Sequence, residues 1–210
     1  MRLFSPLRRT LTLFILFAAT TALAQRQPLV VCFGDSITAG YGLKTGEAYP
    51  DALSRLLSKH GFKVKVANQG ESGATTKDAL DDVQMIIRMH PDIVLVEFGG
   101  NDGLRGLRLE NSKKNLDAVL TALDSAHIRV ILAGITLPPE YGKDYIAKFE
   151  KMYRELATKH HSAFIPMIYR DLVGKQNVIQ HDGIHPTAQG SEIIAKTVAE
   201  VLEPMLKSSK

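Results

Sequence analysis

The feature that most constrains this chain is an alternation along its length. Short aliphatic runs recur, and between them lie longer stretches whose apolar residues are spaced three and four apart. Leu29–Phe33 (LVVCF), Val64–Ala67, Ile93–Phe98 (IVLVEF), Arg129–Ile135 and Ala163–Pro166 read as strands. Ala48–His60, Thr75–Met89, Leu109–Ala126, Asp144–His160 and Thr187–Leu206 read as helices. Leu53, Leu56 and Leu57 share one face of the first helix, and Leu109, Leu116, Val119, Leu120 and Leu123 share one of the third. The boundaries carry the matching chemistry. Pro50 stands near one helix start, Thr75 and Asp78 make a capping-box pair, and His90-Pro91 closes the helix that Thr75 opens.

Strands separated by helices of this length call for parallel β-α-β crossovers. LVVCF and IVLVEF are continuous apolar runs rather than alternating ones, as strands covered on both faces are. The expected fold class is therefore α/β, one parallel sheet with helices on both sides. No internal repeat, low-complexity tract or linker interrupts the pattern, so a single domain is expected. One cysteine, Cys32, excludes an internal disulfide framework.

The N-terminus is different in kind. Arg2, Arg8 and Arg9 precede the uncharged run Leu11–Ala24, which ends in the small-x-small sequence Ala22-Leu23-Ala24. That is the layout of a signal peptide covering 1–24, with an exported domain at 25–210, periplasmic or secreted. The run is shorter than the roughly 20 residues that span a bilayer, so no integral span is expected in the mature chain. The Arg8-Arg9 pair leaves open a twin-arginine route. Val31 before Cys32 argues against a lipid anchor there. The three arginines carry most of the net charge of +4, so the pI near 9.1 is no sign of a nucleic-acid partner.

In a parallel sheet, functional groups gather at the carboxyl ends of the strands. This chain puts Gly34-Asp35-Ser36, Asn68–Gly73, Gly99-Gly100-Asn101-Asp102 and Asp182-Gly183-Ile184-His185-Pro186 there. Ser36, between a strand and a helix, is either a helix cap or a nucleophile awaiting a base. The segment lacks the second glycine of a G-x-S-x-G elbow. Asp182 and His185, three apart in a turn, are either a cap and a surface histidine or an orienting carboxylate and a general base. Asn101 and Gly73 could donate to an oxyanion, or simply serve tight turns. The spacing of His181 and His185 offers two ligands where catalytic zinc takes three, and no metal or other cofactor is expected.

The four blocks GDSITAGYG, ESGATT, GGNDGLRG and DGIHP resemble, in order, those of the SGNH (GDSL) hydrolase superfamily. With Leu137–Gly142 (LPPEYG) they are most similar to its bacterial periplasmic arylesterase and lysophospholipase-like thioesterase subgroup. The resemblance implies a flavodoxin-like three-layer α/β/α sandwich around a five-stranded parallel sheet. It implies Ser36 as nucleophile, His185 as base and Asp182 as its orienter, with an oxyanion hole made by Ser36 N–H, Gly73 N–H and the Asn101 side chain. Ile37 departs from the leucine of the family motif. The implied substrates are small-molecule acyl esters, thioesters or lysophospholipids, and a monomer is expected. Leu107, Tyr141 and Tyr145 are candidates to line an acyl groove, or else ordinary loop anchors. Two rivals stand beside this reading: a carbohydrate or peptidoglycan O-deacetylase, and a non-catalytic envelope binding protein.

Overall fold

The run at Leu29–Gly34 forms strand β1, second from one edge of a five-stranded parallel sheet. The computed structural model describes residues 26–208, so the segment 1–24, expected to be a signal peptide, lies outside the described residues. After β1 come helices α1 (Ser36–Ala39) and α2 (Tyr49–Lys59), then β2 (Lys65–Gly70) and α3 (Thr76–Arg88). Strand β3 (Ile93–Glu97) is followed by α4 (Gly100–Leu104) and α5 (Leu109–Ser125). Strand β4 (Arg129–Ala133) leads through a 3-10 turn at Pro139–Tyr141 to α6 (Lys143–Lys159), β5 (Ala163–Ile165) and the closing helix α7 (Ala188–Lys207).

The strand order is β2-β1-β3-β4-β5 with every neighbour parallel. Helix α2 packs against α7 on one face, and α3, α5 and α6 pack in series on the other. This is the three-layer, flavodoxin-like α/β/α sandwich. The arrangement follows from burial: Val30–Cys32 of β1 and Ile93–Val96 of β3 have no exposed surface, so both faces of the central strands need cover. Burial also pushes the Cys32 thiol up to about 12, which leaves it an inert core side chain.

Two sequence expectations differ in extent. Strand β2 runs on to Gly70, whereas Asn68–Gly70 reads as loop from its side chains. An edge strand is held by its backbone ladder to β1, here out to Gly34↔Gly70, and its half-exposed positions need not be apolar. Helices α1 and α4 are new; four and five residues are too few to show a helical period.

This order positions the site. From β1 the chain turns one way to β2 and later the other way to β3, so β1 and β3 flank the point where the winding reverses. In such sheets a crevice opens there, outside the carboxyl ends of the strands. Ser36 follows β1 and Asn101 follows β3.

Candidate active site

The short helix α1 begins at Ser36, and Asp35 is its N-cap. The Asp35 carboxylate accepts the Ile37 N–H at 3.0 Å, which fixes how the chain leaves β1. Ser36 itself is the first helical residue, so its N–H has no acceptor inside the helix. Its hydroxyl is largely buried, at the floor of a crevice.

The Asp182–Pro186 turn reaches over from the segment before α7. His185 Nε2 lies 2.9 Å from Ser36 Oγ, and His185 Nδ1 lies 2.7 Å from Asp182 Oδ2. A carboxylate only accepts, so Nδ1 carries the proton and Nε2 is left to accept the Ser36 O–H. The second Asp182 oxygen accepts backbone N–H groups from Ile184 at 2.9 Å and His185 at 3.0 Å. Desolvation pulls this carboxyl upward, but the two N–H donors and the imidazole outweigh it and hold the group down at about 2. The turn is anchored in turn. Gln180 N–H donates to His185 O at 2.8 Å, and the Gln180 amide donates to Tyr41 O at 2.7 Å and Pro186 O at 2.9 Å. The Tyr41 ring lies over the imidazole, centroids 4.6 Å apart.

Opposite the histidine, α4 grips the loop that carries Gly73. Asn101 Nδ2 donates to Ala74 O at 2.9 Å, and Arg105 donates to Gly73 O at 2.8 Å. Asp102, nearly wholly buried, accepts from Thr76 N at 2.9 Å, Thr76 Oγ1 at 2.6 Å and Ser112 Oγ at 2.8 Å. Gly73 has φ +87°, and a Cβ there would meet only the Arg105 tip at 3.5 Å. It is glycine for its backbone conformation, not for lack of space. Among the described residues its N–H has no acceptor. Gly99, before Asn101, has φ +118° and would put a Cβ 2.2 Å from the Tyr153 hydroxyl. That hydroxyl donates to Phe98 O at 2.9 Å, so β3 ends against a fixed post.

Ser36, Asn101 and His185 all line one cavity of about 640 Å³. Its lining is mostly apolar, with Leu104, Ile135 and Leu137 joined by Leu172, Val173, Val178, Ile179 and Ile184. A serine paired with an imidazole, an imidazole paired with a carboxylate, and unspent N–H donors near the serine can together perform acyl transfer.

The crevice thus brings together Ser36, His185, Asp182 and Asn101, with Gly73 next to them. Leu107, Tyr141 and Tyr145 are placed elsewhere. None lines the cavity. Tyr141 donates to Leu104 O at 2.8 Å and Tyr145 to Leu107 O at 3.5 Å, while the Tyr145 ring stacks on Phe149. They strap the end of α4. Much of the lining comes instead from the stretch between β5 and α7. Its length was the available signal, because structureless connections beyond about 15 residues usually serve function. Asp35 and Asp102 were also missed as supports; each sits in a block already singled out, next to a candidate residue. Among the described residues no three His, Cys, Asp or Glu side chains are grouped to hold a metal ion.

Comparison with known proteins agrees with this geometry. The sequence pattern of the GDSL-like Lipase/Acylhydrolase family matches residues 32–193. An arylesterase of Vibrio mimicus is 33% identical over 90% of this chain and 94% of its own length. Thioesterase 1/protease 1/lysophospholipase L1 of Escherichia coli K12 is 31% identical over 92% of each. The crystal structure of TesA, 34% identical, superposes with a TM-score of 0.80 over 85% of this chain and 99% of that one. With the four sequence blocks converging on one crevice and the match running through them all, the chain belongs to the GDSL-like lipase/acylhydrolase family, the SGNH hydrolases.

Proposed function

We propose that this protein is a serine esterase that cleaves acyl esters, acyl thioesters and lysophospholipids through a covalent acyl-enzyme. The observation that carries the reading is the 2.9 Å contact between Ser36 Oγ and His185 Nε2 at the floor of an apolar cavity. Ser36 Oγ attacks the carbonyl carbon while His185 Nε2 takes its proton. The Asp182 carboxylate stabilises the imidazolium that forms. The N–H groups of Ser36 and Gly73 and the Asn101 amide receive the oxyanion. His185 then protonates the leaving alkoxide or thiolate, and water attacks the acyl-serine with the same histidine as base.

The cavity walls favour an acyl chain over a sugar. A carbohydrate O-deacetylase needs polar partners for hydroxyl groups, and away from the groups around Ser36 the lining offers few beyond Thr136, Tyr169 and Lys175 among mostly aliphatic side chains. The signal-like N-terminal segment supports action outside the cytoplasm, on esters and lysophospholipids rather than on cytosolic acyl-CoA. A series of p-nitrophenyl esters from acetyl to palmitoyl tests the reading. Each methylene buried contributes about 0.8 kcal/mol at most. Even with half of that realised, hexanoyl ester should exceed acetyl ester in kcat/KM by about tenfold. A maximum at acetyl would point to the deacetylase instead, and no turnover of any ester would leave a binding protein.

Asn101→Ala isolates the oxyanion site. Loss of one such donor costs about 10²–10³ in kcat. The loss should approach the upper end here, because the same amide also tethers Ala74 O. The measurement is steady-state hydrolysis alongside a thermal melt; unchanged turnover would take Asn101 out of the hole.

A further inference from the structure

Behind the serine lies a second acid that the mechanism above does not use. Glu97, the last residue of β3, is wholly buried, and Asp35 is almost so. Glu97 is brought there by the sheet. Its position pairs with Gly34 across the β1–β3 ladder, and its carbonyl accepts the Asp35 N–H at 3.2 Å. Gly34 makes the approach possible, since a Cβ at that position would stand 2.8 Å from Glu97 Oε2 and 2.1 Å from Thr38 Oγ1.

The partners of the two acids are unequal. Asp35 takes the Ile37 N–H on Oδ1 and the Asn101 amide at 3.3 Å on Oδ2. Glu97 receives one donor, Thr38 Oγ1 at 2.9 Å on Oε2, and Oε1 is buried with no donor. Thr38 has spent its proton on Glu97, so at the 3.1 Å contact with Tyr49 the Tyr49 O–H must donate to Thr38. The 3.2 Å bond from Asp35 N–H to Glu97 O sets these two buried acids next to each other. Two carboxylates buried side by side cannot both stay ionised. The group with the fewer donors, and an oxygen without any, is the one to hold the proton.

We propose that Glu97 is a protonated carboxylic acid that donates its Oε1–H to the Asp35 carboxylate and thereby positions Asn101 for the oxyanion. Burial and the neighbouring Asp35 charge push Glu97 well above the ordinary carboxyl range, and burial raises Asp35 as well. The result is a directed series of donors: Tyr49 to Thr38, Thr38 to Glu97, Glu97 to Asp35. Asn101 donates to the same Asp35 from the other side.

The consequence is for the charge behind the hole. Asn101 has two amide protons, one held firmly by Ala74 O and the other loosely by Asp35. The oxyanion must take the loosely held one. Two ionised acids would grip that proton and repel the new negative charge; a shared proton lowers both effects. Glu97 is thus a positioning residue acting through Asp35. The inference rests on the assignment of Asn101 to the oxyanion hole.

Infrared spectroscopy at pH 8 tests the protonation without reference to catalysis. The difference spectrum of wild type minus Glu97→Gln should contain one protonated-carboxyl C=O band, downshifted in D₂O. Glu97→Gln keeps an N–H donor toward Asp35 and an acceptor for Thr38, so it should hydrolyse esters at near the wild-type rate. Glu97→Leu removes the donor and should lower kcat by about 10-fold or more with KM little changed. In an Asn101→Ala background the Glu97→Leu change should cost almost nothing further. Absence of the infrared band, or a Glu97→Gln variant as impaired as Glu97→Leu, would overturn the proposal. Full turnover by Asn101→Ala alone would instead remove the assignment on which it rests, while the band would still report the state of the pair.

Discussion

Ser36→Ala is expected to lower kcat on a preferred ester by about 10⁶-fold, the scale on which a triad loses activity with its nucleophile. The step that disappears is bond formation between Oγ and the acyl carbon, and nothing near Ser36 can replace it. The His185 imidazole remains, but water in place of Oγ would have to be held at the same point. Asn101, the Gly73 N–H and the apolar walls are untouched, so a residue of catalysis over the uncatalysed rate should persist. Folding should be nearly unaffected. The substitution removes one hydrogen bond, worth about 1 kcal/mol, and leaves the Asp35 cap of α1 in place. The variant should therefore melt within a few degrees of wild type, fail to react with a fluorophosphonate probe, and still bind a fatty acid in the cavity. Hydrolysis at the wild-type rate by a well-folded Ser36→Ala protein would remove Ser36 from the chemistry.

How much of this was legible before the structure depends on which force placed each part. The central strands were legible because burial on both faces writes a continuous aliphatic run, as in Val30–Cys32 and Ile93–Val96. The extension of β2 through Asn68 and Gln69 was not, because backbone pairing to β1 places those residues and their side chains carry no trace of it. Ser36, Asn101, Asp182 and His185 stood out as reactive types at the ends of strands. Their mutual distances are tertiary facts, set by a sheet order that local pattern alone does not contain. The lining of the cavity was not legible for a similar reason. Tyr141 and Tyr145 have the size of wall residues, yet their hydroxyls find the carbonyls of Leu104 and Leu107 and turn the rings to bracing. Leu172 and Val173, in a stretch without periodicity, form the wall instead. Glu97 reads as a polar interruption in IVLVEF, and only the absence of a Cβ at Gly34 explains how the sheet admits it.

Asp182→Asn should be the second most damaging substitution, with kcat reduced by about 10⁴-fold, and the reason lies in the two backbone donors. Ile184 N–H and His185 N–H both point at Oδ1. An asparagine must therefore put its oxygen there, since an amide nitrogen facing two N–H groups would lose both bonds. Its NH₂ is then left at the Oδ2 position, 2.7 Å from His185 Nδ1. An N–H donor at that point requires Nδ1 to accept, which moves the imidazole proton to Nε2. Nε2 then donates toward Ser36 and can no longer take its proton. The turn, the imidazole and the 2.9 Å contact with Ser36 would all persist, so a crystal structure of the variant should look unchanged while turnover is nearly lost. Asp182→Ala frees Nδ1 to lose or keep its proton and should be the less damaged of the two, a reversal of the usual rank of conservative and drastic changes. The pH behaviour follows from the same bonds. Asp182 is held at about 2, below its unfolded value of about 3.9, so its contribution to stability is present above that value and is lost as pH falls toward 2. It stays ionised throughout the range in which imidazoles titrate. Comparison of kcat for the two variants at neutral pH, with nitrogen-15 NMR of the His185 ring to assign its tautomer, checks the argument. Equal activity in Asp182→Asn and wild type would show that His185 needs no orienting anion.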